Sequence, residues 1–158
     1  MSLRTIRVEG DEILRKSSKE VQVMTPRLRR LIQDMLDTMY ENGGVGLAAV
    51  QVGILKRLVV IDTGDDPHVL INPKIIARSG SQTGSEGCLS IPGKSGTVTR
   101  PEQVTVQALN ENMEEITLTG SGLLARAICH ECDHLEGQLY VDIVEGELVD
   151  DDDEYDEE

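Results

Sequence analysis

At 158 residues the chain is long enough for one domain with its own core and too short for two comfortable ones. Its net charge of −14 is concentrated at one end: residues 145–158 hold ten acidic side chains and no Lys or Arg, leaving residues 1–144 with 19 acids against 15 bases, a net of −4. The total charge therefore says nothing about a substrate, and the sequence offers no direct nucleic-acid site in the form of a basic patch with aromatic residues. No apolar run approaches the ~20 residues of a membrane span, and the first residues lack the apolar core of a signal peptide. Three cysteines, at 88, 129 and 132, do not form a disulfide framework, so a cytoplasmic protein with reduced thiols is expected.

In chain order, Thr25-Pro26 reads as an N-cap followed by proline at the first helical position. Leu28, Leu31, Ile32, Met35, Leu36 and Met39 then recur at helical spacing until Asn42-Gly43, predicting a helix over 26–41. A glycine-rich stretch at 43–53 leads to β-branched segments at 57–62 and 69–77. Residues 79–97 are dense in glycine and serine and read as loop. Two alternating segments, 104–110 and 114–119, flank Glu111-Asn112 as a hairpin. A second helix is predicted over 121–136, ending at Gly137, and a short closing strand over 138–144. Helices and strands without a βαβ rhythm predict a single α+β domain over 1–144, its antiparallel or mixed strands packed around the second helix. Residues 145–158 read as an acidic, disordered tail.

The chemistry concentrates in His130-Glu131-Cys132-Asp133-His134. A helix advances about 100° per residue, so positions i and i+4 end about 40° apart and both imidazoles leave one face. Glu131 sits beside the first of them, where its carboxylate reaches a water and not the ion. Two histidines on a helix can also be plain surface residues; here they are two of only three in the chain. A catalytic metal needs a third protein ligand and one open position. Cys132 points about 200° away from His130, Cys129 also points off the stripe, and His68 reads as a loop residue. Cys88 remains, and by itself it reads more simply as an inert loop residue.

GVGLAAVQ at 44–51, EGCLS at 86–90 and HECDH at 130–134 resemble, in order and spacing, the three signature motifs of the peptide deformylases. ILR at 13–15, Asn72-Pro73, IPG at 91–93, Arg100 and the LLAR before the histidines extend the resemblance over residues 4–143. It implies a metal-dependent hydrolase that removes the N-formyl group from the initiator methionine of newly made polypeptides and releases formate. Cys88, His130 and His134 would hold one divalent ion, natively Fe2+, with Zn2+, Ni2+ or Co2+ as substitutes. Glu131 would be the general base and then acid, and the Gln51 amide with the Leu89 N–H would receive the developing oxyanion. An N-formylmethionyl peptide would be the substrate and the ribosome a partner.

Helix geometry places Leu123 and Ala127 on the stripe of His130 and His134, and with Val45 they form an expected wall for the methionine side chain. Gly46 would let extended substrate backbone approach. The chain departs from the family's usual pattern at Val50, where proline is common, and at Cys129, where glutamine is common; the first loosens the segment around Gln51 and the second adds an oxidisable thiol. Two rival readings are another metal-dependent amidase or peptidase, and a weakened or inactive deformylase-like binding protein.

Overall fold

A computed structural model describes residues 2–151. The first helix, α1, spans Pro26–Glu41. The Thr25 side chain accepts a hydrogen bond from the Leu28 N–H at 3.1 Å and Pro26 opens the helix, as the sequence predicts. Its buried face carries Leu28, Leu31, Ile32, Met35 and Met39. With no Phe or Trp in the chain, this aliphatic and methionine packing does the work of aromatic side chains.

Five strands form one antiparallel sheet: β1 (Gly46–Ala48), β2 (Leu58–Ile61), β3 (His68–Ser79), β6 (Gln103–Leu109) and β7 (Glu115–Ser121), ordered β1-β2-β3-β6-β7. The hairpin of β6 and β7 turns through residues 110–114, close to the expected position. Asn72 takes a positive φ of 53° inside β3, and its side chain bonds both the N–H and the carbonyl of Val21, stitching the N-terminal segment to the sheet. The second helix, α2 (Leu123–Leu135), packs against β1, β2, β6 and β7 and is buried on most of its circumference. Gly137 follows it at φ 77°; a Cβ there would lie 2.5 Å from the Arg15 carbonyl oxygen, so only glycine turns the chain at this point.

Three expectations are corrected. Most of residues 79–97 is not loop: β4 (Gln82–Cys88) and β5 (Ile91–Arg100) pair antiparallel, and Gly96 serves close packing instead of a turn. A Cβ on Gly96 would lie 2.3 Å from Val144 Cγ2. The closing strand is not at 138–144, where Tyr140–Asp142 makes a 3-10 turn; Asp142 accepts from the Leu139 N–H at 3.0 Å and pairs with Arg15 at 2.6 Å, which favours the turn. The strand comes later, as β8 (Glu145–Asp150), which completes a second sheet in the order β4-β5-β8. The segment expected as tail from residue 145 thus begins with a paired element. Leu148 packs on the cluster around Tyr140, while Lys94 pairs with Asp150 and Thr99 donates to Glu145. The remainder of the expected tail, 152–158, lies outside the described residues. All pairings between these eight strands are antiparallel, so the molecule is α+β, and none of its described helices is long and apolar enough to cross a membrane.

Candidate active site

The two histidines leave α2 on its inner face, as i, i+4 spacing requires. Their ring centroids are 5.0 Å apart, and both residues are buried. Cys88 comes to them from the last residue of β4. Its Sγ is 3.3 Å from His134 Nε2, and one ligand atom from each of Cys88, His130 and His134 lies within 4.8 Å of the others. Glu131 is 4% exposed; Oε2 is 4.0 Å from His130 Nε2, and Oε1 has no hydrogen-bond partner among the described residues. A buried carboxylate oxygen without a partner marks a place where water or substrate completes the site. Burial raises the Glu131 carboxyl to about 7.

Gln51 lies in a 3-10 turn, Ala49–Val52, that follows β1, and it is 1% exposed. Its Oε1 accepts from the Ala48 N–H at 2.9 Å, which fixes the amide so that Nε2 faces Ser90 Oγ at 3.0 Å and Cys88 Sγ at 3.6 Å. Val50 beside it is fully buried. Glycines set the distance between this segment and the helix. A Cβ on Gly46 would lie 2.6 Å from Glu131 Oε2, and one on Gly44 would lie 2.7 Å from Leu89 Cδ1.

Behind the histidines stands Glu86, which the sequence reading left without a role. Its Oε1 is 2.6 Å from His130 Nδ1, and its two oxygens also accept from Arg100 and, at 2.6 Å, from Arg126. Arg100 reaches on to Asp133 at 2.7 Å. Burial works to raise the Glu86 carboxyl, but the hydrogen bonds from His130 and Arg100 outweigh it and hold the group down at about 2. With one ring nitrogen on Glu86, His130 presents the other to the cage. Burial likewise works to lower His130, yet Glu131, Cys88 and Glu86 around it lift it well above the ordinary histidine value. His134 goes the other way, lowered by burial and by the neighbouring His130 charge. A position where one thiol, two imidazoles and a carboxylate hold a positive charge suits a divalent cation on donor chemistry.

A cavity of about 270 Å³ opens onto this cage. Of the residues singled out in the sequence, Val45, Gly46, Gln51, Cys88, Leu89, Leu123, Ala127, His130 and Glu131 all line it, whereas His134 is fully buried and not part of the lining. Ala127 is buried, whereas Val45 and Leu123 are 41% and 52% exposed and form its mouth. His68, expected in a loop, is instead the first residue of β3 and half-buried, and it stands outside the convergent ligand group. Cys129 and Cys132 also stay out of it: Cys129 is buried in the main core, and burial raises both thiols, Cys132 to about 12, so neither is an activated nucleophile. The residues that sequence reasoning gave no task are Glu86, Ser90 and Arg126. The signal that could have found Glu86 is an acid two residues before a candidate ligand, with two arginines that have no acid at i±4.

The sequence model of the family described as polypeptide deformylase matches residues 3–148. A peptide deformylase of Agathobacter rectalis is 61% identical over 150 residues, covering 95% of each chain. Among solved structures, a peptide deformylase from Thermotoga maritima superposes with a TM-score of 0.90 at 38% identity, over 92% of this chain and 100% of that one. One from Synechococcus elongatus, in complex with actinonin, gives a TM-score of 0.88 at 49% identity, over 90% of this chain and 79% of that one.

Proposed function

This chain belongs to the polypeptide deformylase family, and from that membership and its site we propose a residue-by-residue account of a metal-dependent hydrolysis. The reaction removes the N-formyl group from the initiator methionine of a newly made polypeptide. A water oxygen bonds to the formyl carbon, the carbon–nitrogen bond breaks, and the products are formate and a free amine. The observation that carries the account is the convergence of Cys88, His130 and His134 within 4.8 Å, beside a buried Glu131 whose Oε1 has no partner among the described residues.

Cys88, His130 and His134 hold one divalent ion, natively Fe2+, with Zn2+, Ni2+ or Co2+ able to take its place. Bound there, the ion supplies Lewis-acid chemistry, polarising the formyl carbonyl and acidifying water. Glu131 takes a proton from water and returns one to the departing nitrogen. A carboxyl raised to about 7 by burial suits both directions near neutral pH. Gln51 Nε2, held by the Ala48 N–H, and the backbone N–H of Leu89 donate to the oxygen that gains negative charge. Glu86 fixes the ring of His130. Val45, Leu123 and Ala127 receive the methionine side chain, and Gly46 lets the extended substrate backbone lie close. We place the enzyme in the cytoplasm, working on chains at the ribosome.

Anaerobic purification, a metal count and formate release from a short formyl-Met peptide test this account. One ion per chain with formate release is expected, and Glu131→Ala should lower kcat by about 10²–10⁴-fold with metal retained. Formate release unchanged in that variant would remove Glu131 from the chemistry; metal without formate would remove formylmethionine as substrate.

A further inference from the structure

A second cavity, about 700 Å³ and larger than the one at the cage, lies beside the start of α1. Leu28, Leu31 and Ile54 are among its apolar lining, and Arg27, Arg30 and Lys56 stand exposed around it. A parallel bridge sets Lys19 next to Lys56, adding a fourth cation. One acid, Glu20, lines the cavity and a second, Asp34, lies buried in α1; neither cancels the face. Asp34 is taken by Arg4 at 3.0 Å, and Glu20 is a single charge against four. No carboxylate pairs with Arg27, Arg30, Lys19 or Lys56 among the described residues.

The placement of these cations works against the helix. α1 carries Arg27, Arg29 and Arg30 at its positive end and no acid in its first turn, whereas a helix built only for stability puts acids there. Local rules broken without a structural return mark functional surfaces. The grouping could not be read from the sequence, because its members come from three separate segments, residues 19, 27–30 and 56. The lining contains no aromatic side chain on which a base could stack, and the charged groups are guanidinium forks and an ammonium, which suit phosphate oxygens. We propose that this face docks on the phosphate backbone of structured RNA, without reading its sequence. The docking rests on the preceding reading only for its setting, an enzyme that meets newly made chains beside RNA; the contact itself lies away from the cage, since the two cavities share no lining residue.

The test uses the full chain and a fluorescently labelled RNA hairpin, with anisotropy followed at about 50 and about 200 mM salt. Wild type should bind at low salt and release steeply as salt rises. R27E/R30E/K56E should weaken binding about tenfold or more and reduce the slope of log affinity against log salt by about three, one per lost phosphate contact. K74E/R78E, which reverses two exposed charges on β3, should leave binding as in wild type. Formate release from a short formyl-Met peptide should be the same in all three proteins, so that failure of docking and failure of the deformylase account read out separately. Should the triple reversal unfold the chain, R27Q/R30Q carries the same test with a smaller loss. Absence of RNA binding by wild type at low salt, or equal losses in the two charge-reversal variants, overturns the proposal. So does tighter binding of an acidic peptide, DDDDEYDEE, than of RNA, which would make the occupant a protein.

Discussion

The site has two halves that meet at the cage, and they are built on opposite principles. The helical half, α2, supplies His130, Glu131 and His134 from a continuous segment whose register alone brings them to one side. The sheet half supplies Cys88 and Glu86 from β4 and Arg100 from β5, strands whose inward positions carry few apolar side chains. Gln82, Gly84, Glu86 and Cys88 alternate toward the interior of β4, and Gly96, Val98 and Arg100 do so in β5. A helix can carry its chemistry on one stripe and its core contacts on the rest. A strand has only two faces, so here the face that would normally be apolar carries the chemistry.

Gln51 comes from outside both halves, from the turn after β1, and offers the largest effect that would break the comparison. Its amide answers to Ala48 on one side and to Ser90 and Cys88 on the other. Gln51→Leu keeps the volume and removes the donor, so kcat on a formyl-Met peptide should fall about 10²–10³-fold, with the melting temperature and metal count little changed. A loss in KM alone would show that Gln51 serves binding and not the oxyanion.

Glu86 sharpens the comparison through pH. Its carboxyl sits at about 2 in the folded chain against an ordinary value of 4.5, a depressed group. Its contribution to stability is therefore complete above about 4.5 and is lost as pH falls toward about 2. In acid-unfolding scans wild type should lose stability more steeply across that window than Glu86→Gln, whose curve should be flatter. Parallel curves would mean that Glu86 gains nothing from Arg100, Arg126 and His130.

The same contrast explains what could be read in advance. The cap at Thr25-Pro26, the apolar stripe of α1 and the histidine pair of α2 are local patterns, and the structure keeps each at its expected place. β4 and β5 were hidden because period-two alternation is recognised by apolar side chains, and theirs runs through glutamine, glycine, glutamate and arginine. The segment at 138–144 misled for the converse reason. It has β-branched residues in number, but Asp142 ties the chain into a turn through the Leu139 N–H and Arg15. Cys88 could be singled out by motif while its geometry could not, since nothing local to residue 88 specifies the distance to residue 134.

On the helical side, Ala127 lies one turn before His130 and is buried in the cavity wall. Ala127→Trp fills space that the methionine side chain is proposed to use, so KM for formyl-Met peptides should rise about tenfold or more while the metal count stays at wild type. Unchanged kinetics would place the methionine elsewhere in the cavity.

On the sheet side, Gly96 gives the smallest effect and isolates β8. Val144 and Leu148 lie over it closely enough that a Cβ would meet Val144 Cγ2 at 2.3 Å and Leu148 Cδ2 at 3.1 Å. Gly96→Ala must push these side chains away or bend β5, at a cost of about 1–3 kcal/mol, read as a lower melting temperature. Because β5 pairs with β4 along its length, Gly96 opposite Glu86, and β4 ends at Cys88, the strain has a path to the thiol and, through Glu86, to the His130 ring. Loosening on the sheet side alone should therefore weaken metal retention during chelator challenge, while the variant reloaded with metal recovers kcat. A lower melting temperature with unaltered metal retention would show that β8 stabilises the fold without tuning either Cys88 or, through Glu86, His130.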